Sequence, residues 1–130
     1  METAPKKILV VDDEKDLREA ITTALSYEGF TIINAEDGDV GLMLALKEKP
    51  DLIFLDIMMP KLDGVGMLRA LREDPWGKEA KVVIMTVLDD MEKMAEAVEL
   101  GASEYIMKSD ISLSGIVEKA KQKLAAKSTL

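Results

Sequence analysis

Carboxylates follow two apolar segments of this sequence at the point where each segment ends. Asp12 and Asp13 come directly after residues 8–11, and Asp56 comes directly after residues 52–55. Three carboxylates held close together repel one another, so one pKa rises unless a cation intervenes. Carboxylate oxygens suit Mg²⁺, with water and a backbone carbonyl completing an octahedron. These residues therefore predict a magnesium site, provided that the fold brings the two segments together.

Two further polar side chains end later apolar segments. Thr86 follows residues 82–85, and Lys108 follows residues 104–107. The lysine ammonium can pair with a carboxylate or a phosphoryl oxygen, and the threonine hydroxyl can donate a hydrogen bond to an anion. A carboxylate beside a divalent ion, a lysine and a hydroxyl suits phosphoryl transfer to that carboxylate, which forms an aspartyl phosphate.

Each of these residues also has an ordinary structural explanation. Asp12 or Asp13 can cap the helix that follows, and Asp56 can begin a turn. Taken alone, Thr86 fits an ordinary strand and Lys108 fits a solvated surface. The functional hypothesis is favoured because polar or charged residues follow four of the five apolar segments, and parallel strands would bring them to one edge of a sheet.

Five apolar segments alternate with five amphipathic ones, and this order predicts the architecture. The apolar segments lack a regular polar alternation, as expected for parallel strands covered on both faces. Between them, apolar residues recur at helical spacing, for example at Leu17, Ile21 and Leu25. We therefore predict an α/β fold with a parallel sheet and helices on both faces. The predicted strands are residues 8–11, 30–33, 52–55, 82–85 and 104–107.

The composition limits the class of protein. A chain of 130 residues with no visible boundary is expected to form one domain. The net charge of −8 argues against direct nucleic acid binding, which needs a basic surface. The absence of Cys and His excludes disulfides and histidine-based catalysis. No apolar run is long enough to span a membrane and the first residues lack a signal-peptide pattern, so we expect a cytoplasmic protein.

The chain resembles the receiver domain of bacterial two-component response regulators over nearly its whole length. The resemblance rests on Asp12-Asp13, on "DIMMPKLDG" from Asp56 to Gly64, on Thr86, and on Lys108 shortly after Tyr105. It implies a flavodoxin-like, doubly wound (βα)5 sandwich of three layers with strand order 2-1-3-4-5. It also implies a single receiver domain over residues 1–130, with no effector domain in this chain.

The resemblance implies a role for each site residue. Asp56 is the phosphoacceptor, and Lys108 contacts the phosphoryl group. The cofactor is Mg²⁺, bound by Asp13 and Asp56, by Asp12 through water, and by the backbone carbonyl of Met58. The expected function is a phosphorylation-dependent signalling switch with weak self-phosphorylation and autodephosphorylation chemistry, and not a metabolic enzyme.

Signal output is expected at the face formed by the fourth helix, the fifth strand and the fifth helix. By the resemblance, Thr86 moves to hydrogen-bond the phosphoryl group, and Tyr105 turns inward as the second half of the switch. The implied partners are a sensor histidine kinase or histidine phosphotransfer protein, and a downstream protein or missing effector domain. A phosphorylation-dependent dimer through the same face is also expected. Direct contacts with nucleic acid or membrane are not expected.

Three other functions fit the residues less well. An aspartate-nucleophile phosphatase usually has a second Asp two residues after the nucleophile, where this chain has Met58. A flavin carrier needs a phosphate loop after the first strand, where the acidic run beginning at Asp12 would repel phosphate. A degenerate receiver that only binds proteins is the remaining alternative, and the complete set of site residues argues against it.

Two positions depart from the family pattern. Val87 stands where a small residue is usual, which reduces access to the phosphoryl group, and Ser109 replaces the proline usual after the lysine. A cis bond before a non-proline residue costs roughly 3–4 kcal/mol, so we predict a trans bond before Ser109. Asp110 or Ser112 is the predicted N-cap of the last helix.

Overall fold

Five parallel strands form a single sheet in the computed structural model of this chain, which describes residues 5–59, 61–86 and 91–125. The strands are β1 (Lys7–Val11), β2 (Thr31–Ala35), β3 (Leu52–Asp56), β4 (Val82–Thr86) and β5 (Glu104–Met107). Their order is β2-β1-β3-β4-β5, so the predicted order is confirmed. The second strand lies further along the chain than the predicted residues 30–33, because its pairing with β1 continues until Ala35 lies opposite Val11.

Five α-helices alternate with the strands and complete the predicted three-layer α/β fold. The helices are α1 (Lys15–Tyr27), α2 (Gly38–Glu48), α3 (Gly64–Arg72), α4 (Met91–Glu99) and α5 (Leu113–Leu124). Two short 3-10 helices occupy Gly77–Glu79 and Lys108–Asp110. Within the described ranges, none of the helices combines the length and hydrophobicity that a membrane span requires.

Alternate residues along each strand enter two separate hydrophobic clusters. Leu9 and Ile53 belong to the cluster under α2, α3 and α4, whereas Val10 and Phe54 belong to the cluster under α1 and α5. The pleat of a strand causes this alternation, since successive side chains point to opposite faces. The helices differ in how firmly they are anchored: α3 buries five residues, while α4 buries Ala97 alone.

Among the described residues, side chains cap three of the helices. Asp37, Asp63 and Ser112 each accept a hydrogen bond from the backbone N–H three residues further on, at α2, α3 and α5 respectively. Ser112 is therefore the cap of α5. The acidic pair before α1 does not cap it, because the N-cap residue is Glu14, whose side chain makes no capping hydrogen bond. No cis peptide bond occurs among the described residues, so the predicted trans bond before Ser109 is confirmed.

Two lysines adopt the left-handed backbone conformation that favours glycine. Lys49 has φ 48° at the C-cap of α2, and Lys61 has φ 63° in the loop before α3. This conformation costs an L-residue roughly 1–2 kcal/mol. Lys61→Gly is expected to raise the free energy of unfolding by about 0.5 kcal/mol, because the relief of strain exceeds the added entropy of the unfolded chain. Urea denaturation measures the change.

Lys61→Ala is the matched control for this prediction. Alanine keeps the Cβ atom that causes the strain, and it also removes the ion pair between Lys61 Nζ and Asp37 Oδ2, which are 3.6 Å apart. Glycine removes the same ion pair, so the difference between the two variants reports the backbone conformation alone. An equal gain from alanine and glycine would show that the lysine side chain, and not its backbone conformation, limits stability.

Candidate functional site

The carboxyl edge of the sheet brings the three predicted acidic ligands together. β1 and β3 pair so that Val11 lies opposite Leu55, and Asp12 and Asp56 follow at the next positions. Carboxylate oxygens of Asp12, Asp13 and Asp56 lie within 4.8 Å of one another. Asp12 is 0% exposed and Asp56 is 2% exposed, whereas Asp13 is open to solvent. The predicted cluster therefore has two buried members and one that solvent can reach.

Asp12 directs one carboxylate oxygen to the backbone and the other to the cluster. Its Oδ1 accepts a hydrogen bond of 2.8 Å from the Glu14 N–H. Its Oδ2 is buried and accepts no hydrogen bond from the described residues, although Lys108 Nζ lies 3.0 Å away. Burial raises the pKa of Asp12, against the opposing effects of the Glu14 N–H and Lys108. This buried oxygen is therefore a candidate ligand for a cation.

Lys108 lies among three carboxylates. Its Nζ is 2.8 Å from Glu14 Oε1, 3.0 Å from Asp12 Oδ2 and 3.2 Å from Asp56 Oδ2. Burial lowers the pKa of Lys108, but the carboxylates of Glu14, Asp12 and Asp56 outweigh it and raise the pKa. The lysine therefore stays charged, and its flexible stem reaches Asp56 from a trans backbone, as predicted.

Asp56 is the carboxylate whose ionisation is most disfavoured by the site. Burial and the neighbouring charge of Asp12 raise its pKa to about 7, although Lys108 opposes them. The backbone N–H of Met58 donates a hydrogen bond of 3.3 Å to Asp56 Oδ1. With no cation bound, the site therefore favours the neutral form of Asp56 more than water does.

The raised pKa predicts that Asp56→Asn stabilises the metal-free protein. Between pH 3.8 and about 7, the folded protein holds a proton that the unfolded chain has released. Stability therefore falls as the pH rises through this window. The neutral asparagine removes this cost, so a gain of roughly 2 kcal/mol is expected at about pH 8 and a smaller gain at about pH 5. Urea denaturation in EDTA checks both values, and equal gains would contradict the electrostatic explanation.

The donor set fits a hard divalent cation. All three clustered groups are carboxylates, and the buried Oδ2 of Asp12 makes an ion pair with Lys108 Nζ but accepts no hydrogen bond from the described residues. Mg²⁺ binds oxygen ligands of this kind and keeps several waters, which the open side of the cluster at Asp13 allows. The hydrogen bond from the Met58 N–H also brings the backbone of that residue beside Asp56.

The two predicted switch residues lie on neighbouring strands but in different surroundings. Thr86 ends β4, is 1% exposed, and follows the residue that pairs with Asp56. Tyr105 lies in β5, is 53% exposed, and borders a cavity of about 250 Å³ beside α4. Val87, which the sequence analysis singled out for its bulk, lies outside the described residues.

Glu14 is a partner of Lys108 to which the sequence analysis assigned no role. Its carboxylate makes the shortest of the three contacts with the ammonium and is 60% exposed. One feature of the sequence could have indicated this contact. Glu14 directly follows the acidic pair, at an N-cap position where Ser, Thr, Asp or Asn is preferred. A residue that does not cap its helix has its side chain free for another contact.

A doubly wound parallel sheet that gathers carboxylates and a lysine at its carboxyl edge defines a receiver-type signalling domain. The chain belongs to the response regulator receiver domain family, whose model matches residues 8–121. This match confirms the resemblance on which the sequence analysis relied.

Relatives and solved structures agree with this assignment. The "Probable transcriptional regulator ycf27" of Guillardia theta is 40% identical over 103 residues, which cover 79% of this chain and 39% of that protein. "Response regulator MprA" of Mycolicibacterium vanbaalenii is 36% identical over 104 residues, covering 80% of this chain and 44% of that protein. The chain thus spans about two fifths of the length of these relatives. The chemotaxis protein CheY4 of Vibrio cholerae has a TM-score of 0.85 at 26% identity, covering 93% of this chain and 100% of that chain.

Proposed function

We propose that this chain is a phosphorylation-dependent switch in which Asp56 accepts a phosphoryl group from a sensor histidine kinase or a histidine phosphotransfer protein. An Asp56 oxygen forms a bond to phosphorus while the bond between phosphorus and the donor imidazole breaks, and the departing nitrogen keeps the electron pair. The observation that supports this most directly is the buried Asp56 carboxylate, in contact with Lys108 and within 4.8 Å of two further carboxylates.

The proposed cofactor is Mg²⁺, held by Asp13 and Asp56, by Asp12 through water, and by the carbonyl of Met58. When bound, it would neutralise negative charge on the phosphoryl oxygens during transfer. Lys108 would move from a carboxylate to a phosphoryl oxygen, since an ammonium on a flexible stem can pair with either.

Acetyl phosphate tests the proposed reaction without knowledge of the natural donor. With Mg²⁺ present, the intact mass of the protein is expected to rise by one phosphoryl group, because acetyl phosphate supplies the same group through cleavage of a P–O bond. Excess EDTA is expected to suppress the product. A protein that gains no mass with Mg²⁺ would contradict phosphoacceptor function and would leave the alternative of a receiver that only binds proteins.

We further propose that α4, β5 and α5 form the output surface. Thr86 would donate a hydrogen bond to the phosphoryl group, and Tyr105 would turn inward from its exposed position. This is supported by the cavity of about 250 Å³ between α4 and β5, which Tyr105 borders. Phosphorylation would then shift a two-state equilibrium of this surface. Beryllofluoride is expected to perturb amide NMR signals across all three elements, and changes confined to the neighbours of Asp56 would contradict the proposal.

The proposed partners follow from the same surface and from the relatives. A cytoplasmic kinase or phosphotransfer protein would act upstream. A downstream protein or an effector segment would bind the altered surface. A dimer through α4, β5 and α5 is a further way in which that surface could act. The curated relatives are named as a transcriptional regulator and a response regulator, which favours control of gene expression as the final output.

A further inference from the structure

Among the described residues, three carboxylates contact Lys108, and Glu14 is the exposed one. The other two, Asp12 and Asp56, are buried and belong to the proposed metal cluster. The Nζ atom of Lys108 lies 2.8 Å from Glu14 Oε1, closer than to either buried group. The lysine therefore has one partner that lies outside the proposed metal ligands.

A divalent cation and the Lys108 ammonium compete for the same oxygens. A cation bound by Asp56, and through water by Asp12, would lie close to an ammonium that is 3.0 Å and 3.2 Å from oxygens of these residues. Like charges at such separations repel strongly in a partly buried site. The ammonium must therefore withdraw from Asp12 and Asp56 when the cation enters, and it needs another acceptor if it is to remain in the site.

The backbone places Glu14 where it can be that acceptor. Its N–H donates to Asp12 Oδ1 at 2.8 Å, and its carbonyl accepts from the Arg18 N–H at 2.9 Å, so the main chain is held at both sides. Its side chain makes no capping hydrogen bond with α1 and instead reaches Lys108. The main chain is thus fixed beside the cluster, while the carboxylate extends toward the lysine.

We propose that Glu14 is a positioning residue that holds the Lys108 ammonium while a divalent cation occupies the carboxylate cluster. It lowers the electrostatic cost of metal binding and keeps Lys108 within reach of an incoming phosphoryl oxygen. The inference rests on the proposed function and adds to it a determinant of metal affinity outside the ligands themselves.

Calorimetric titration with Mg²⁺ tests this role directly. Glu14→Gln is expected to weaken Mg²⁺ binding about 3- to 10-fold, the size of effect expected for losing one charged contact. Glu19→Gln, which makes the same charge change on the exposed side of α1, is the matched control and is expected to change the affinity less than about 2-fold. Glu14→Asp keeps the charge on a shorter stem and is expected to restore part of the affinity. Thermal melts confirm that each variant is folded.

A double-mutant cycle separates positioning from simple attraction. In the Lys108→Met background the effect of Glu14→Gln is expected to shrink to less than about 2-fold, because Glu14 then has no ammonium to hold. An undiminished effect in that background would show that Glu14 attracts the cation through its charge alone, and would overturn the proposal. Wild-type affinity in the single Glu14→Gln variant would overturn it as well.

The same experiments distinguish this inference from the proposed function. A wild-type protein that binds no Mg²⁺ or accepts no phosphoryl group would refute both. A wild-type protein that binds Mg²⁺ and is phosphorylated, alongside a Glu14→Gln variant with equal affinity, would refute the role of Glu14 alone. The NMR signal of the Lys108 side-chain amine gives a second measure, since it is expected to shift on Mg²⁺ binding in the wild type and to broaden or disappear in Glu14→Gln.

Discussion

Replacing Asp56 with Asn is expected to reduce acetyl phosphate labelling to the background level. Asparagine keeps the shape of the side chain, but its neutral amide is a poor nucleophile toward phosphorus. Intact mass spectrometry after incubation with Mg²⁺ and acetyl phosphate measures the loss, and a complete loss is the largest functional effect predicted for a single change.

Asp39→Asn provides the control for this experiment. Asp39 lies in the first turn of α2, is exposed, and is not a member of the carboxylate cluster, so this variant is expected to label like the wild type. Urea denaturation distinguishes loss of the acceptor from loss of the fold, because Asp56→Asn is expected to be at least as stable as the wild type. Persistent labelling of Asp56→Asn would assign the acceptor to another residue, which peptide mapping would identify.

The largest loss of stability is expected from Arg72→Ala. The Arg72 guanidinium ties the end of α3 to two other loops by donating hydrogen bonds to five backbone carbonyls. The acceptors are Leu100 at 2.6 Å, Gly77 at 2.7 Å, Ala80 at 2.9 Å, Gly101 at 3.0 Å and Lys78 at 3.3 Å. Hydrogen bonds from a charged donor are stronger than neutral ones, so their loss is expected to lower the free energy of unfolding by about 3 kcal/mol. Urea denaturation measures it.

Arg69→Ala is the matched control, one turn earlier on the same helix. Arg69 makes an exposed ion pair with Glu96, with 2.7 Å between Nη2 and Oε2, and exposed pairs contribute little. A change of less than about 1 kcal/mol is therefore expected for this variant. Arg72→Lys adds a further comparison, because one ammonium cannot reach the same set of carbonyls. Equal losses from Arg72→Ala and Arg69→Ala would show that water replaces the guanidinium at little cost.

The strands and the acidic cluster could be predicted because they depend on residue patterns that are visible in the sequence itself. Residues 52–55 are apolar without alternation, which is typical of a strand buried on both faces, and Asp56 ends the run. The bounds of β2 were harder to predict than those of β3, because Asn34 and Ala35 join the strand only through pairing with β1. Pairing partners decide where such a strand ends.

Three features could not be predicted because the residues that form them have ordinary surface chemistry. In the sequence, Arg72 looks like an ordinary charged residue at the end of a helix. In the fold, its guanidinium contacts a loop that includes Gly101. Lys61 lies in a turn sequence that also accommodates ordinary backbone angles, and its positive φ follows from the path between β3 and α3. Glu14 looks like one more acidic residue after the pair, and only the fold brings Lys108, 94 residues later, to its carboxylate.

The shallow anchoring of α4 leads us to expect that this helix opens locally while the sheet stays intact. It buries Ala97 alone, whereas α3 beside it buries five residues. Two ion pairs also join it to the region around α3: Lys93 pairs with Asp63, and Glu96 pairs with Arg69. Apolar burial sets most of the free energy needed to open a segment, so the amide hydrogens of α4 are expected to exchange with solvent well before those of α3. A helix with so few buried side chains is expected to need less free energy to rearrange than one anchored as α3 is.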